Sequence, residues 1–230
     1  MPVNDDWLLH FGPDADLARI AAAWFADGKL TRAAVAVSGG SDSMALLHVM
    51  AAVAQHRGVA LHAVTVDHGL RAEAVAEAAA VTQLCASLGV PHQVLRWDHG
   101  VVAGNLMDAA RRARYELMAD WAVRQNISRI FLGHTADDQA ETFVMELARS
   151  AGIDGLVGMK TDWRQGGVRF ERPFLAVARA DLRSYLGRQG VPWVDDPSNE
   201  NDRFLRVKAR LALKVLQPLG ITVATVSHVM

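Results

Sequence analysis

Short apolar runs alternate along this chain with longer stretches of helical periodicity, and that alternation limits the fold more than any other feature. Residues 33–37, 60–66, 92–97 and 129–132 read as strands, each a run of four to seven mostly apolar residues. Between and after them, 43–56, 73–88, 105–124 and 136–148 repeat apolar residues three and four apart. In the first of these, Ala45, Leu46, Val49, Met50 and Val53 form one stripe. Another helix at 14–26 precedes the first strand, with Asp14 near its start and Gly28 at its end. Strand, helix, strand joined by a few residues builds a parallel sheet, because parallel neighbours need a crossover and a helix supplies it while covering a face. Residues 29 to about 155 are therefore expected to form an α/β, doubly wound parallel sheet of about five strands. Beyond it, 161–174 reads as a hairpin turning at Gly166-Gly167, and 180–188 and 204–216 as helices of a small C-terminal extension. One domain over 1–216 with a short apolar tail at 217–230 is the expected organisation.

Composition narrows the class without naming a partner. The chain has 230 residues and a formal net charge of −1, so no overall basic field points to nucleic acid, and any such partner must be met by a local patch. The single cysteine, Cys85, lies in an apolar helical run and can form neither an internal disulfide nor a Cys-x-x-Cys site. The acidic start, MPVNDDWLLHFGPD, lacks the basic and apolar parts of a signal peptide, and no apolar run approaches the roughly 20 residues that span a bilayer. A soluble cytoplasmic protein is expected, with no membrane partner.

Where the first strand ends and the next helix begins, the chain reads Ser38-Gly39-Gly40-Ser41-Asp42-Ser43. Ligands of open parallel sheets sit at such carboxyl ends. Glycines let the backbone approach a ligand and take positive φ, and the helix start offers unpaired N–H groups with a partial positive charge. The result is a cradle for phosphate, to which three serine hydroxyls add donors. Asp42 would repel phosphate and makes sense if it binds a magnesium ion bridging to it; the plain alternative is that Ser-Gly-Gly is merely a turn, with Asp42 or Ser43 an N-cap. The spacing matches neither the kinase-type phosphate loop nor the dinucleotide fingerprint.

SGGSDS resembles the SGGxDS loop of the PP-loop, or N-type, ATP pyrophosphatases, which split ATP between its α and β phosphates. Three further stretches, VDHGLR at 66–71, GHTADDQAET at 133–142 and VDDPSNENDRFLRVKAR at 194–210, resemble in order and spacing the tRNA(Ile)-lysidine synthetases of that superfamily. AARRARYELM at 109–118 and RPFLAVARADLRSYL at 172–186 look like the same family. The resemblance covers residues 32 to about 213. It implies ATP and Mg²⁺ as cofactors and two partners, L-lysine and the isoleucine tRNA with a CAU anticodon. C2 of the wobble cytidine is activated by adenylylation, and the ε-amine of free lysine then displaces AMP.

The remaining residues fit that chemistry. Asp138 and Glu141, three apart, share a face near a helix start, with Asp137 and Thr142 beside them. Such carboxylates would hold an ammonium or a metal ion, and one with a raised pKa could take the ammonium's proton. A solvated acidic helix start is the plain alternative. By resemblance Asp42 and Asp138 are the magnesium and catalytic carboxylates, and Glu141 a lysine-side partner. His68 and His134 stand at strand ends, where each could touch nucleotide or simply bond a loop carbonyl. Arg111, Arg112 and Arg114 form one basic cluster, and Arg206, Lys208, Arg210 and Lys214 a second. The resemblance matches Arg111, Arg114, Arg206 and Arg210 to basic positions near nucleotide and tRNA, where a planar guanidinium suits phosphate. The chain departs from the family at Val207, commonly Asn, and in stopping near the last helix of the catalytic domain where many relatives continue. The rival expectations are a tRNA thiolase, an amide-forming PP-loop ligase, and a non-catalytic ATP-binding module.

Overall fold

The computed structural model describes residues 6–26, 28–69, 74–98, 100, 104–195 and 205–230. Strands β1 (Arg32–Ala36), β2 (Ala60–Asp67), β3 (His92–Arg96) and β4 (Arg129–Leu132) alternate with helices α1 (Ala15–Ala23), α2 (Ser41–Arg57), α3 (Ala74–Ser87), α4 (Leu106–Arg124) and α5 (Ala136–Ala148). After α6 (Ile153–Leu156) come strands β5 (Asp162–Gln165) and β6 (Val168–Glu171), then α7 (Arg179–Gln189), α8 (Leu205–Leu216) and α9 (Val223–Val229). The sheet runs β3-β2-β1-β4-β6-β5.

Pairing is parallel except between β5 and β6. The sheet therefore has six strands rather than about five, and the hairpin expected outside the core at 161–174 lies within it. The expectation stopped early because β6 is only four residues long and carries Arg169 and Glu171, so its apolar signal is weak. Inside the sheet Glu171 is buried against the guanidinium of Arg169 at 3.2 Å.

Burial follows the strand period of two. Ala33 and Val35 of β1 pack in a core with α1, α2 and α7, while Ala34 and Ala36 face a second core with Met118, Ala119 and Ala122 of α4. Both faces are thus covered, which is why β1 reads as unbroken small apolar residues. Cys85 is fully buried in the first core, and its removal from water pushes the thiol up to about 11.

Boundaries differ where caps decide them. Helix α2 starts at Ser41 rather than 43, so Asp42 lies in its first turn. Asn105 caps α4, accepting from the N–H groups of Met107 and Asp108. The expected apolar tail is the helix α9, capped by Thr222 and packed through Val226 near Ala140 and Leu213. Residues 70–73 and 196–204, which carry parts of two family-like stretches, lie outside the described residues.

Strand order reverses between β1 and β4, where Ala36 lies opposite Leu132. The segments that leave these two carboxyl ends therefore run side by side, the crevice in which doubly wound sheets bind ligands. Among the described residues no single helix is long and apolar enough to cross a membrane.

Candidate active site

Two loops meet at that crevice. After β1, Gly39 takes φ +90°, a conformation that costs a side chain energy, whereas Gly40 is extended and caps α2. Only one of the two glycines uses the left-handed region. Ser43 ties the turn together: its Oγ accepts from the N–H of Ser38 at 3.1 Å and donates to the carbonyl of Gly40 at 3.0 Å. After β4, Gly133 allows the closest approach in the site. A Cβ there would stand 2.9 Å from the backbone N and Cα of Ser43, too near for any side chain. Val194 donates its N–H to the carbonyl of Gly39, which pins the loop from the other side.

The acidic side chains converge on one residue, Arg179, the first of α7. Its Nε donates to Asp42 at 2.8 Å, Nη2 to Asp138 at 3.2 Å and Nη1 to Glu141 at 3.3 Å. Its own backbone N–H donates to Asp137 at 2.7 Å, so Asp137 caps α7 rather than facing a ligand. Thr142 donates back to the carbonyl of Asp138 within α5. Asp138 also closes a capping box, one carboxylate oxygen accepting from both the N–H and the hydroxyl of Thr135. Glu141 is almost fully buried and meets two more arginines, Arg210 Nε at 2.8 Å and Arg206 Nε at 3.5 Å.

Burial and these partners push the two aspartates apart. Removal from water raises the pKa of Asp42, outweighing Arg179. Asp138 goes the other way: burial is outweighed by Arg179, His134 and Arg206, which hold it ionised. The raised pKa that a general base requires belongs to Asp42, not to the Asp138 of the expected pair. Asp42 and Asp138 both bond one guanidinium, so both lie within reach of one cation. Magnesium takes one or two carboxylates plus phosphate and water, and this donor set fits it in type.

A cavity of about 880 Å³ opens over the loop, lined by Ser38, Gly40, Ser41, Asp42 and Ser43 on one side and by Gly133, His134 and Asp138 on the other. Its charged lining comprises six cations, Arg114, Arg179, Arg183, Arg206, Arg210 and Lys214, against the carboxylates of Asp42, Asp138 and Asp195. The chain's formal charge of −1 conceals this local basic field. Arg114 is half-buried there and has no ion-pair partner among the described residues, a cation suited to an incoming anion. A second cavity of about 890 Å³ lies behind the same arginines and is lined by Asp137, Glu141, Asp181, Leu213 and Val223.

Not every expected residue reaches the cavity. Arg111 is exposed, with its guanidinium 5.5 Å above the Tyr115 ring, and His68 stands edge-on to Trp97 beyond β2. Neither is among the lining residues. Val207 is buried and forms wall where a polar contact was expected to be missing. Arg179, Arg183 and Arg172 were not singled out from sequence. Arg179 left a readable trace, since a cation at the first position of a helix opposes the dipole and needs acids nearby.

The profile of the PP-loop domain matches residues 13–217. The tRNA(Ile)-lysidine synthase of Ruegeria pomeroyi is 47% identical over 222 residues, covering 96% of this chain and 53% of that protein. The one from Rhodopseudomonas palustris is 46% identical, covering 85% and 58%. The chain thus spans about half the length of these relatives. Among solved structures, the U34-tRNA thiolase NcsA from Methanococcus maripaludis, with its [4Fe-4S] cluster, superposes with a TM-score of 0.77 at 14% identity, covering 93% of this chain and 76% of that one. An NH3-dependent NAD synthetase from Campylobacter jejuni does so at 0.54 and 15%, covering 94% and 85%. At these identities the likeness is one of fold alone.

Proposed function

The chain belongs to the PP-loop domain family, and we propose that it activates C2 of the wobble cytidine of a CAU-anticodon isoleucine tRNA with ATP and joins it to free L-lysine. We take residues 1–216 as the catalytic unit and 217–230 as its tail. The observation that carries this reading is the cavity whose floor is the double-glycine loop and whose charged wall is mostly cationic.

In this reading the loop amides and the start of α2 hold the polyphosphate, with Ser38, Gly39, Gly40, Ser41 and Ser43 forming the cradle. Asp42 and Asp138 would hold magnesium, which when bound draws charge from the departing pyrophosphate. Arg179 keeps both carboxylates turned toward one point. Arg114, Arg206 and Arg210 neutralise phosphate charge as the cytidine oxygen attacks the α-phosphorus and pyrophosphate leaves. Lysine suits the second cavity, where Glu141 and Asp181 match an ammonium and Leu213 and Val223 an aliphatic stem. Its amine then attacks C2 and AMP departs. Arg111 and His68 have no role in this arrangement within the catalytic cavity.

Sulfur transfer fits less well. A cluster of the kind in the thiolase's name takes several thiolates, and these 230 residues hold one cysteine, fully buried. The test is pyrophosphate release with ATP, magnesium and the CAU tRNA, followed by mass analysis of the modified nucleoside with and without lysine. Release that depends on the tRNA, and a nucleoside heavier by lysine less water, are expected. Release indifferent to tRNA, or a product carrying sulfur, would overturn the assignment.

A further inference from the structure

Arg172 is the one arginine among the described residues that is buried, and it has no carboxylate within ion-pair distance there. A buried cation without an acid is costly, so its other contacts must explain it. Its Nε donates to Nδ1 of His134 at 3.1 Å, and one Nη donates to the carbonyl of Lys160. Its Cζ lies 4.3 Å from the centre of the Trp163 ring, which itself stacks on Phe170 at 5.1 Å. Tyr115 braces both rings edge-on at 5.3 Å. The Trp163 face and the Tyr115 hydroxyl, with Asp138 beyond ion-pair distance, supply the attraction that a paired acid usually gives, and the stack fixes the guanidinium in one orientation.

The consequence falls on His134, which lines the nucleotide cavity. A guanidinium has only donors, so the Nδ1 it meets must accept, and the ring hydrogen sits on Nε2. An imidazolium would set two donors and two positive charges against each other. Burial, with Arg172 and other arginines adding to it, agrees by lowering the ring's pKa to about 3. Nε2 is then the nitrogen left to meet a ligand, and it carries a hydrogen.

We propose that Arg172 is a positioning residue that locks His134 as the neutral, Nε2-protonated imidazole, so that the ring donates a hydrogen bond to a polyphosphate oxygen. The proposal rests on reading the cavity as the nucleotide site, and its test separates the two. Nitrogen NMR of ring-labelled histidines in the ligand-free protein, with His134 assigned by His134→Gln, should show the Nε2-protonated form alone at neutral pH. A dominant Nδ1-protonated or doubly protonated ring overturns the proposal whether or not any variant folds. In Arg172→Met, and more weakly in Trp163→Leu, the two tautomers should mix. Pyrophosphate formation by Arg172→Met and by His134→Gln should each fall about 10²-fold in kcat, with the ATP KM within about threefold. The double variant should be no worse than the poorer single one. Multiplied losses, an unmoved tautomer, or a loss carried by the ATP KM would each refute the positioning role. A tautomer locked by Arg172 in a protein that never uses ATP would sink the nucleotide reading instead.

Discussion

Asp42, proposed to hold magnesium, would carry that function against stability. Its carboxyl holds its proton more tightly folded than unfolded, because burial outweighs Arg179. The folded state therefore loses stability as pH rises from 3.8 through the raised value, and the ionised side chain is a net cost at neutral pH. Asp42→Asn should raise the thermal midpoint of the ligand-free protein at pH 7, with the gain vanishing near pH 3. Pyrophosphate formation should fall about 10³-fold, the size of several kcal/mol of lost charge stabilisation. A lowered midpoint or a retained rate would contradict one half each. Glu141 behaves oppositely, since removing its charge takes a buried carboxylate from three arginines at once. Glu141→Gln should cost about 3 kcal/mol, roughly 6–12 °C in a melting experiment on a chain this size. An unshifted melt would mean that those arginines are satisfied elsewhere.

At the scale of elements, the site depends on how closely β4 and α2 approach. Gly133 stands where a Cβ would meet the backbone of Ser43 at 2.9 Å, and backbone cannot rotate out of the way. Gly133→Ala should push the start of α2 away from the end of β4, parting Asp42 from Asp138. A loss of about 1–3 kcal/mol, the usual cost of overpacking, is expected by denaturant titration. Activity should fall by more than that loss explains, because the two carboxylates proposed to hold magnesium separate. Equal behaviour of Gly133→Ala and the parent protein would show that the contact relaxes. Helix α7 matters for the same reason: Asp137 caps it, and the cap sets Arg179 between the two acidic elements.

For the molecule as a whole, a formal charge of −1 coexists with a cavity walled by six cations. Binding of tRNA should accordingly be local and salt-dependent. Lys214 is exposed and lines both cavities. Lys214→Glu should weaken tRNA binding at low salt and reduce the slope of log affinity against log salt by about one, as titrations at several ionic strengths would reveal; an unchanged slope would remove Lys214 from the tRNA surface. The order of strands and helices up to α5, the double-glycine loop at the end of β1 and the shared face of Asp138 and Glu141 were legible in sequence, because each depends on neighbours a few residues apart. The hairpin's entry into the sheet was not, since Glu171 is buried where Arg129 of the neighbouring strand β4 also approaches it, at 3.8 Å. Periodicity and glycine placement alone fixed the α/β architecture and the position of the double-glycine loop. Only the tertiary structure decided that Arg179, 137 residues from Asp42, stands at the centre of the acids and that Arg172 donates to His134. Contacts between side chains distant in sequence leave no periodic signal, because they arise from how the packed elements bring their ends together.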